Sequence, residues 1–240
     1  MTKLRLFNDY KEEDDLLARY VTELFDGRSE LNILEAGCGQ HWPMQLDSVK
    51  YRLTGVDLDA EALRYRVDVS KDLNEAIVAD LRSVDLGSRK FDVIYNAFVL
   101  EHVENAALVL QNFSRWLRPR GLLILKLPDR NSVFGFLTNV TPFWFHVFYH
   151  KYVLGHANAG KPGYGPYPTH YDHVVSRDGI RDFCKQEGFT IKEERGLGAY
   201  VIETNARARV IRMLAIVVSA LSIGRLPWKH NNLTYVLQKD

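Results

Sequence analysis

Cysteine is scarce in this chain of 240 residues: only Cys38 and Cys184 occur. Two thiols so far apart supply no disulfide framework and read as free cysteines in a reducing compartment. Charge of one sign is missing as well. Thirty-one Lys and Arg stand against thirty Asp and Glu, a formal net charge of +1, so no global field draws the chain to nucleic acid. Long hydrophobic runs are absent. The nearest, MLAIVVSALSIG over 213–224, falls short of the roughly eighteen residues of a spanning helix. The N-terminal stretch turns acidic at Glu12, Glu13, Asp14 and Asp15, where a secretory signal needs an apolar core. There is no internal repeat, no low-complexity segment and no spaced set of ligands that argues for a metal. What remains is a cytoplasmic protein, with peripheral membrane contact left open. It has one domain, or one domain with a sizeable insertion, and enough length to bury a full core.

Periodicity orders the rest. Leu16, Leu17, Tyr20, Val21, Leu24 and Phe25 fall on one helical stripe, stopped by Asp26-Gly27. LNILEA, YRLTGVDLD, EAIVAD and KFDVIYNAF read as four strands, and Asp59 is placed to cap a helix beginning AEAL. Ala106, Val109, Leu110, Phe113, Trp116 and Leu117 recur at helical spacing. Pro119-Arg120-Gly121 then turns into LLILKLP, a fifth strand. Strands alternating with helices predict an α/β fold with a parallel sheet covered on both faces. From 129 to about 175 the pattern fails in a segment rich in aromatics, His, Gly and Pro. Order returns with a helix from Ser176 to Gly188, a sixth strand FTIKEE, an apolar helix over 206–223 and a closing seventh strand, LTYVLQK.

The stretch LEAGCGQHW, 34–42, leaves the first of these strands through two glycines. Glycine lets a backbone approach a ligand closely, and the carboxyl end of a parallel sheet is where such ligands sit. Two cofactor classes use a loop of this kind. A dinucleotide wants G-x-G-x-x-G, but the third glycine position here is Trp42. S-adenosylmethionine has no phosphate. It needs room for its amino-acid moiety, an acid for the ribose hydroxyls and a polar partner for adenine. Gly37, small Cys38 and Gly39 form the loop. Asp57 follows Gly39 by about the spacing of a ribose acid. Asp80 is placed to accept from the adenine amino group, Leu58 and Leu81 to sandwich the base, and Glu35 to bond backbone or water beneath the methionine end. Cys38 carries no implied reactivity.

With LEAGCG, GVDLD, VADL, FDVIYNAFVLEHV and LRPRGLLIL in that order, the chain resembles the class I S-adenosylmethionine-dependent methyltransferases. The likeness is strongest to the small-molecule branch that includes ubiquinone and menaquinone methyltransferases. The resemblance covers roughly 30–128, 170–195 and the final strand. It implies a seven-stranded, mostly parallel Rossmann-like sheet with helices on both faces and an antiparallel last strand. Residues 1–128 and 171–240 would form that domain, and 129–170 an insertion capping the acceptor site. It also implies that Asn96 lies near the methionine end of the cofactor, and that His102 faces the methyl as a base. His170 and His173, with Tyr171, open the return from the insertion; of these His170 is the second catalytic candidate.

The expected activity is methyl transfer by in-line displacement, at oxygen, to a small-molecule or lipid-like acceptor. Two other readings stay open: a nicotinamide-dependent oxidoreductase and a non-catalytic binding module. Phe143, Trp144, Phe145, Phe148 and Tyr149 are too dense for a random exposed loop. They form a lid, a homodimer contact or a membrane-interface element. Arg207, Arg209 and Arg212 before the late apolar helix, and Arg225 and Lys229 after it, suit a membrane-surface helix. Packing on the sheet is the plainer alternative.

Overall fold

The computed structural model describes residues 4–153, 155–161, 165–170 and 172–240. Tyr171, and residues 162–164 of the Gly/Pro-rich stretch, lie outside them. Among the described residues, eight strands form one sheet: β1 (Arg5–Leu6), β2 (Leu31–Ala36), β3 (Tyr51–Asp57), β4 (Glu75–Val78), β5 (Phe91–Ala97), β6 (Leu117–Pro128), β7 (Phe189–Leu197) and β8 (Asn232–Lys239). Their order is β1-β7-β8-β6-β5-β2-β3-β4. All neighbours run parallel except β8, which is antiparallel to both β6 and β7. This corrects the expected count of seven. The extra strand β1 is only two residues long and pairs with Arg195 and Gly196 at the edge, too short to show any period.

Alternation along the strands splits the core in two. Leu34, Ile94, Leu123 and Tyr235 face one side, against Val109, Leu110 and Phe113 of α3 (Ala106–Trp116) and Ile180 and Phe183 of α6 (Arg177–Glu187). Ile33, Val93, Ile124 and Val236 face the other, against Leu17 and Val21 of α1 (Tyr10–Phe25). Helices therefore cover both faces, as period-2 burial on each strand requires. The local stops act where the sequence sets them. Asp59 accepts from the N–H groups of Glu61 and Ala62 at the start of α2 (Ala60–Tyr65), and Gly188 ends α6 at φ +68°. The turn at Pro119–Gly121 is absorbed into β6 as an irregularity, with Arg120 at φ +62° and a register shift opposite Phe91 and Val93.

Two departures bear on function. No helix joins β2 to β3. Residues 37–50 are irregular and are held by Trp42, Met44, Leu46 and Val49, which pack on the α1 side of the sheet. The segment after β6 does have regular structure: α4 (Val133–Val140), α5 (Phe143–Phe148) and a π-helical turn at Tyr149–Val153. With α7 (Ala199–Ile202) and α8 (Ala206–Leu221), it forms a layer beyond the carboxyl ends of β6 and β7. Asp129, which opens the segment, is buried and paired with His230 at 2.7 Å. Its backbone N–H donates to the Asn231 carbonyl. Phe134 stacks on Tyr200 at 5.1 Å. Among the described residues no helix is long and apolar enough to cross a membrane.

Candidate functional site

β2 pairs with both β3 and β5, so strand order reverses there. The loops leaving β2, β3 and β5 converge at that switch point, where open α/β sheets bind ligands. Gly37 and Gly39 have φ of +76° and +52°, which L side chains rarely adopt. Their surroundings differ. A Cβ on Gly39 would meet nothing within 4 Å, whereas one on Gly37 would lie 2.2 Å from Val99 Cγ2. Gly39 is bare backbone, while Gly37 makes room for the loop after β5.

Carboxylates hold this loop. Asp57, the last residue of β3, accepts from the Gly39 N–H at 3.0 Å and from the Asp59 N–H at 2.9 Å. Those two bonds leave further lone pairs on both oxygens. Glu35 is buried and paired with Arg66 at 2.8 Å. Burial pushes Glu35 up to about 8, and the guanidinium pulls against that shift. Arg66 itself is fully buried; it also bonds Asp72 at 2.7 Å and the Cys38 carbonyl at 2.9 Å. One side chain thus joins β2, the glycine loop and the turn after α2. Sequence reasoning passed over Arg66. The available signal was its place three residues after Leu63, on the buried face of the helix that Asp59 starts.

Asn96, near the end of β5, donates from its side-chain amide to the Ala36 carbonyl at 2.7 Å. Its Oδ1 is buried and has no hydrogen-bond partner among the described residues. Cys38 is buried, and burial pushes its thiol up to about 12, so it carries no thiolate at neutral pH. Asp80 lies two residues beyond β4 and is gripped by Arg82 at 2.6 and 3.0 Å, which holds its carboxyl below the ordinary value. Leu58 is 71% exposed, whereas Leu81 is only 7% exposed and belongs to the α3-side core.

Six residues past Asn96 the chain reaches a second feature, a cavity of about 640 Å³. Its wall includes Glu101 and His102 from a short 3₁₀ turn, Leu137 and Phe145 from α4 and α5, Tyr149, and Leu214 from α8. Volume and lining suit a small apolar molecule. His102 Nδ1 lies 2.8 Å from the Pro168 carbonyl. A carbonyl only accepts, so Nδ1 carries the proton and the lone pair stands on Nε2. Burial also pushes His102 below its ordinary value, which keeps the ring neutral at pH 7. Glu101, 3% exposed, has one oxygen without a hydrogen-bond partner among the described residues and the other 3.8 Å from His102 Nε2. Burial pushes its carboxyl up to about 7. His170 is exposed and is not part of the cavity wall; it contributes a backbone N–H to the Glu101 carbonyl at 2.8 Å. His173 is also exposed.

Sheet order, the reversed last strand and the glycine loop at the switch point define a Rossmann-like methyltransferase fold. The chain belongs to the methyltransferase-domain family, whose model matches residues 10–194. A ubiquinone biosynthesis O-methyltransferase of Nitrosomonas europaea is 28% identical over 138 residues, 52% of this chain and 55% of that protein. The chain thus spans about half the length of the curated relatives it matches. Among solved structures, a cyclopropane synthase of Mycobacterium tuberculosis superposes with a TM-score of 0.57 at 13% identity, over 100% of this chain and 90% of that one. A magnesium protoporphyrin IX methyltransferase of Synechocystis with bound SAH gives 0.52 at 14% identity, over 97% and 88%. At those identities the likeness is one of fold.

Proposed function

We propose that this chain transfers the methyl group of S-adenosylmethionine to a hydroxyl oxygen of a small, lipid-like acceptor held in the cavity above Glu101 and His102. The observation that carries the reading is one short segment. Residues 96–102 run from the unpartnered Asn96 Oδ1, past Val99 packed on Gly37, to the two titratable groups in the cavity wall.

The residues fit the cofactor. Gly39 is open above its Cα and has no helix behind it, so the loop lacks the helix N-terminus that a pyrophosphate favours. This weighs against a nicotinamide dinucleotide and for a phosphate-free nucleoside. Asp57 has capacity left for ribose hydroxyls, and Asn96 Oδ1 is an acceptor for an ammonium. The backbone of Gly37, Cys38 and Gly39 forms the floor. Glu35 acts beneath that floor through Arg66. Asp80 meets the adenine amino group once Arg82 yields one oxygen, and exposed Leu58 covers the base, with the inner Leu81 beneath. When bound, the cofactor supplies an electrophilic methyl on a sulfonium. The protein's part is to align the acceptor and exclude water. His102 Nε2 takes the acceptor hydroxyl proton, and ionised Glu101 favours the imidazolium that results. His170 positions the Glu101 backbone from outside the cavity. These two cavity groups weigh against a non-catalytic module. The chain acts on a small molecule and not on nucleic acid, and it works in the cytoplasm.

Thermal melts test the cofactor. Adenosylmethionine raises Tm and NAD does not; a shift with NAD alone reverses the assignment. Calorimetry on Asp57→Ala tests the ribose role, with at least a tenfold loss of affinity expected.

A further inference from the structure

The layer formed by α4, α5 and α8 is built inside out. In α8 the buried positions are Ala208, Ala215 and Ser219, while Val210, Met213, Leu214, Val217 and Leu221 are exposed. No residue of α5 is buried, although five of its six side chains are large and apolar. Of the twenty-three exposed large apolar side chains among the described residues, nine lie between Asp129 and Asp172 and seven between Glu203 and Asp240. Those two stretches have a second property in common. Neither contains a single Asp or Glu, although the whole chain has thirty. The first contributes Arg130, Lys151 and Lys161, and the second Arg207, Arg209, Arg212, Arg225, Lys229 and, at the end of β8, Lys239. A chain of net charge +1 has gathered cations and exposed apolar side chains in this layer, with Glu203 at its edge. Monomeric soluble proteins rarely expose contiguous apolar surface on this scale.

We infer that this face docks on the surface of an anionic lipid bilayer. The charge pattern selects that occupant. A second copy would set a predominantly cationic face against its like, which opposes association. A bilayer with anionic headgroups complements the cations and accepts the apolar side chains between them. Trp144 and Tyr152, 68% and 67% exposed, are residues that favour the headgroup level. The α8 helix has sixteen residues, too few to span, so it lies along the surface. Leu137, Phe145 and Leu214 are at once exposed and part of the cavity wall. An apolar acceptor dissolved in the bilayer therefore has a route to Glu101 and His102 without crossing water. That route rests on the function proposed above; the docking itself does not.

Flotation of the full chain with vesicles tests the inference. Protein should float with mixed phosphatidylcholine–phosphatidylglycerol vesicles, far less with phosphatidylcholine alone, and progressively less as salt is raised. Each cation near the surface is worth about fivefold in partition. The double variant Arg209→Glu, Arg212→Glu should therefore lose tenfold or more, and Trp144→Glu should lose binding too. All three substitutions should leave the adenosylmethionine-induced rise in Tm intact, which shows that the variants fold. No flotation on the mixed vesicles, retention equal with and without the anionic lipid, or a dimer that Trp144→Glu dissociates would each overturn the docking. None of these results would touch the cofactor assignment, which the ligand-induced melt reads separately.

Discussion

The two halves of the site are built on opposite plans. In the proposed cofactor half nearly every polar group is already engaged: Glu35 by Arg66, Asp57 by two backbone N–H groups, Asp80 by Arg82. Strand tips aim those groups, and the hydrogen bonds hold the loop in shape before any ligand arrives. In the proposed acceptor half the wall is largely apolar, its helices expose large side chains, and Glu101 keeps one buried oxygen without a partner among the described residues. Preorganisation is concentrated where the ligand is constant and polar. Apolar, weakly directional surface lies where the proposed acceptor is greasy, because burial there supplies affinity without fixed geometry.

The sharpest way to break this contrast is to remove the group that holds the first half together. Arg66→Met leaves Glu35 and Asp72 without their cation, and breaking a buried pair from one side costs about 3–5 kcal/mol. Denaturant unfolding should show that loss, and adenosylmethionine affinity should fall with it. An unchanged midpoint would mean that the loop is held by Asp57 alone.

Glu101→Gln should act in the opposite direction. Burial raises the Glu101 carboxyl to about 7 from an ordinary value near 4.5, so the neutral acid is the form the fold favours. That stabilisation is complete below about pH 4.5 and is lost as pH rises through about 7. Above pH 7 the glutamine variant should therefore be the more stable protein, by roughly 3 kcal/mol at most. The gain should shrink toward zero as pH is lowered to about 4.5. Melting curves across that range check the sign. The same variant should lose the rise in kcat/KM that ionisation of Glu101 produces near pH 7 in the parent. A stabilised but inactive variant would place the unpartnered carboxylate in function rather than in packing.

Smaller effects refine the comparison. Phe145→Ala removes apolar wall from the cavity and should raise the acceptor KM about tenfold, with adenosylmethionine affinity unchanged. Least of all, Arg82→Ala frees both oxygens of Asp80 and should tighten cofactor binding a few-fold by calorimetry; weaker binding would show that Arg82 itself touches the nucleoside.

The same division decided what could be read from residues alone. Strands β2 to β6 and their acids were legible because buried parallel strands are continuous apolar runs, and because Gly37, Gly39 and Asp57 stand at intervals set by strand length. Asp59, Ser176 and Gly188 marked helix ends by chemistry that needs no tertiary context. The rest was written in contacts. β1 is too short to carry a period. The run before and after Pro142 has apolar residues on every side, so it hides α4 and α5 from any test of amphipathicity. Arg66 looks like one more surface cation until it is seen between Glu35 and Asp72. Glu101 was visible beside His102 in the sequence, but its missing partner was not. The α8 helix was legible in extent, but which of its two open placements it takes was not: its alanines face inward and its large side chains out.

Val99 touches both plans. Its side chain occupies the space that a methyl on Gly37 would need, and it lies two residues before Glu101. A displacement of the 3₁₀ turn by an occupant of the cavity would press Val99 on the Gly37 loop, and any coupling it carries is reciprocal. On the function proposed above, the two ligands cannot be thermodynamic strangers: whichever enters first sets the affinity the other will find.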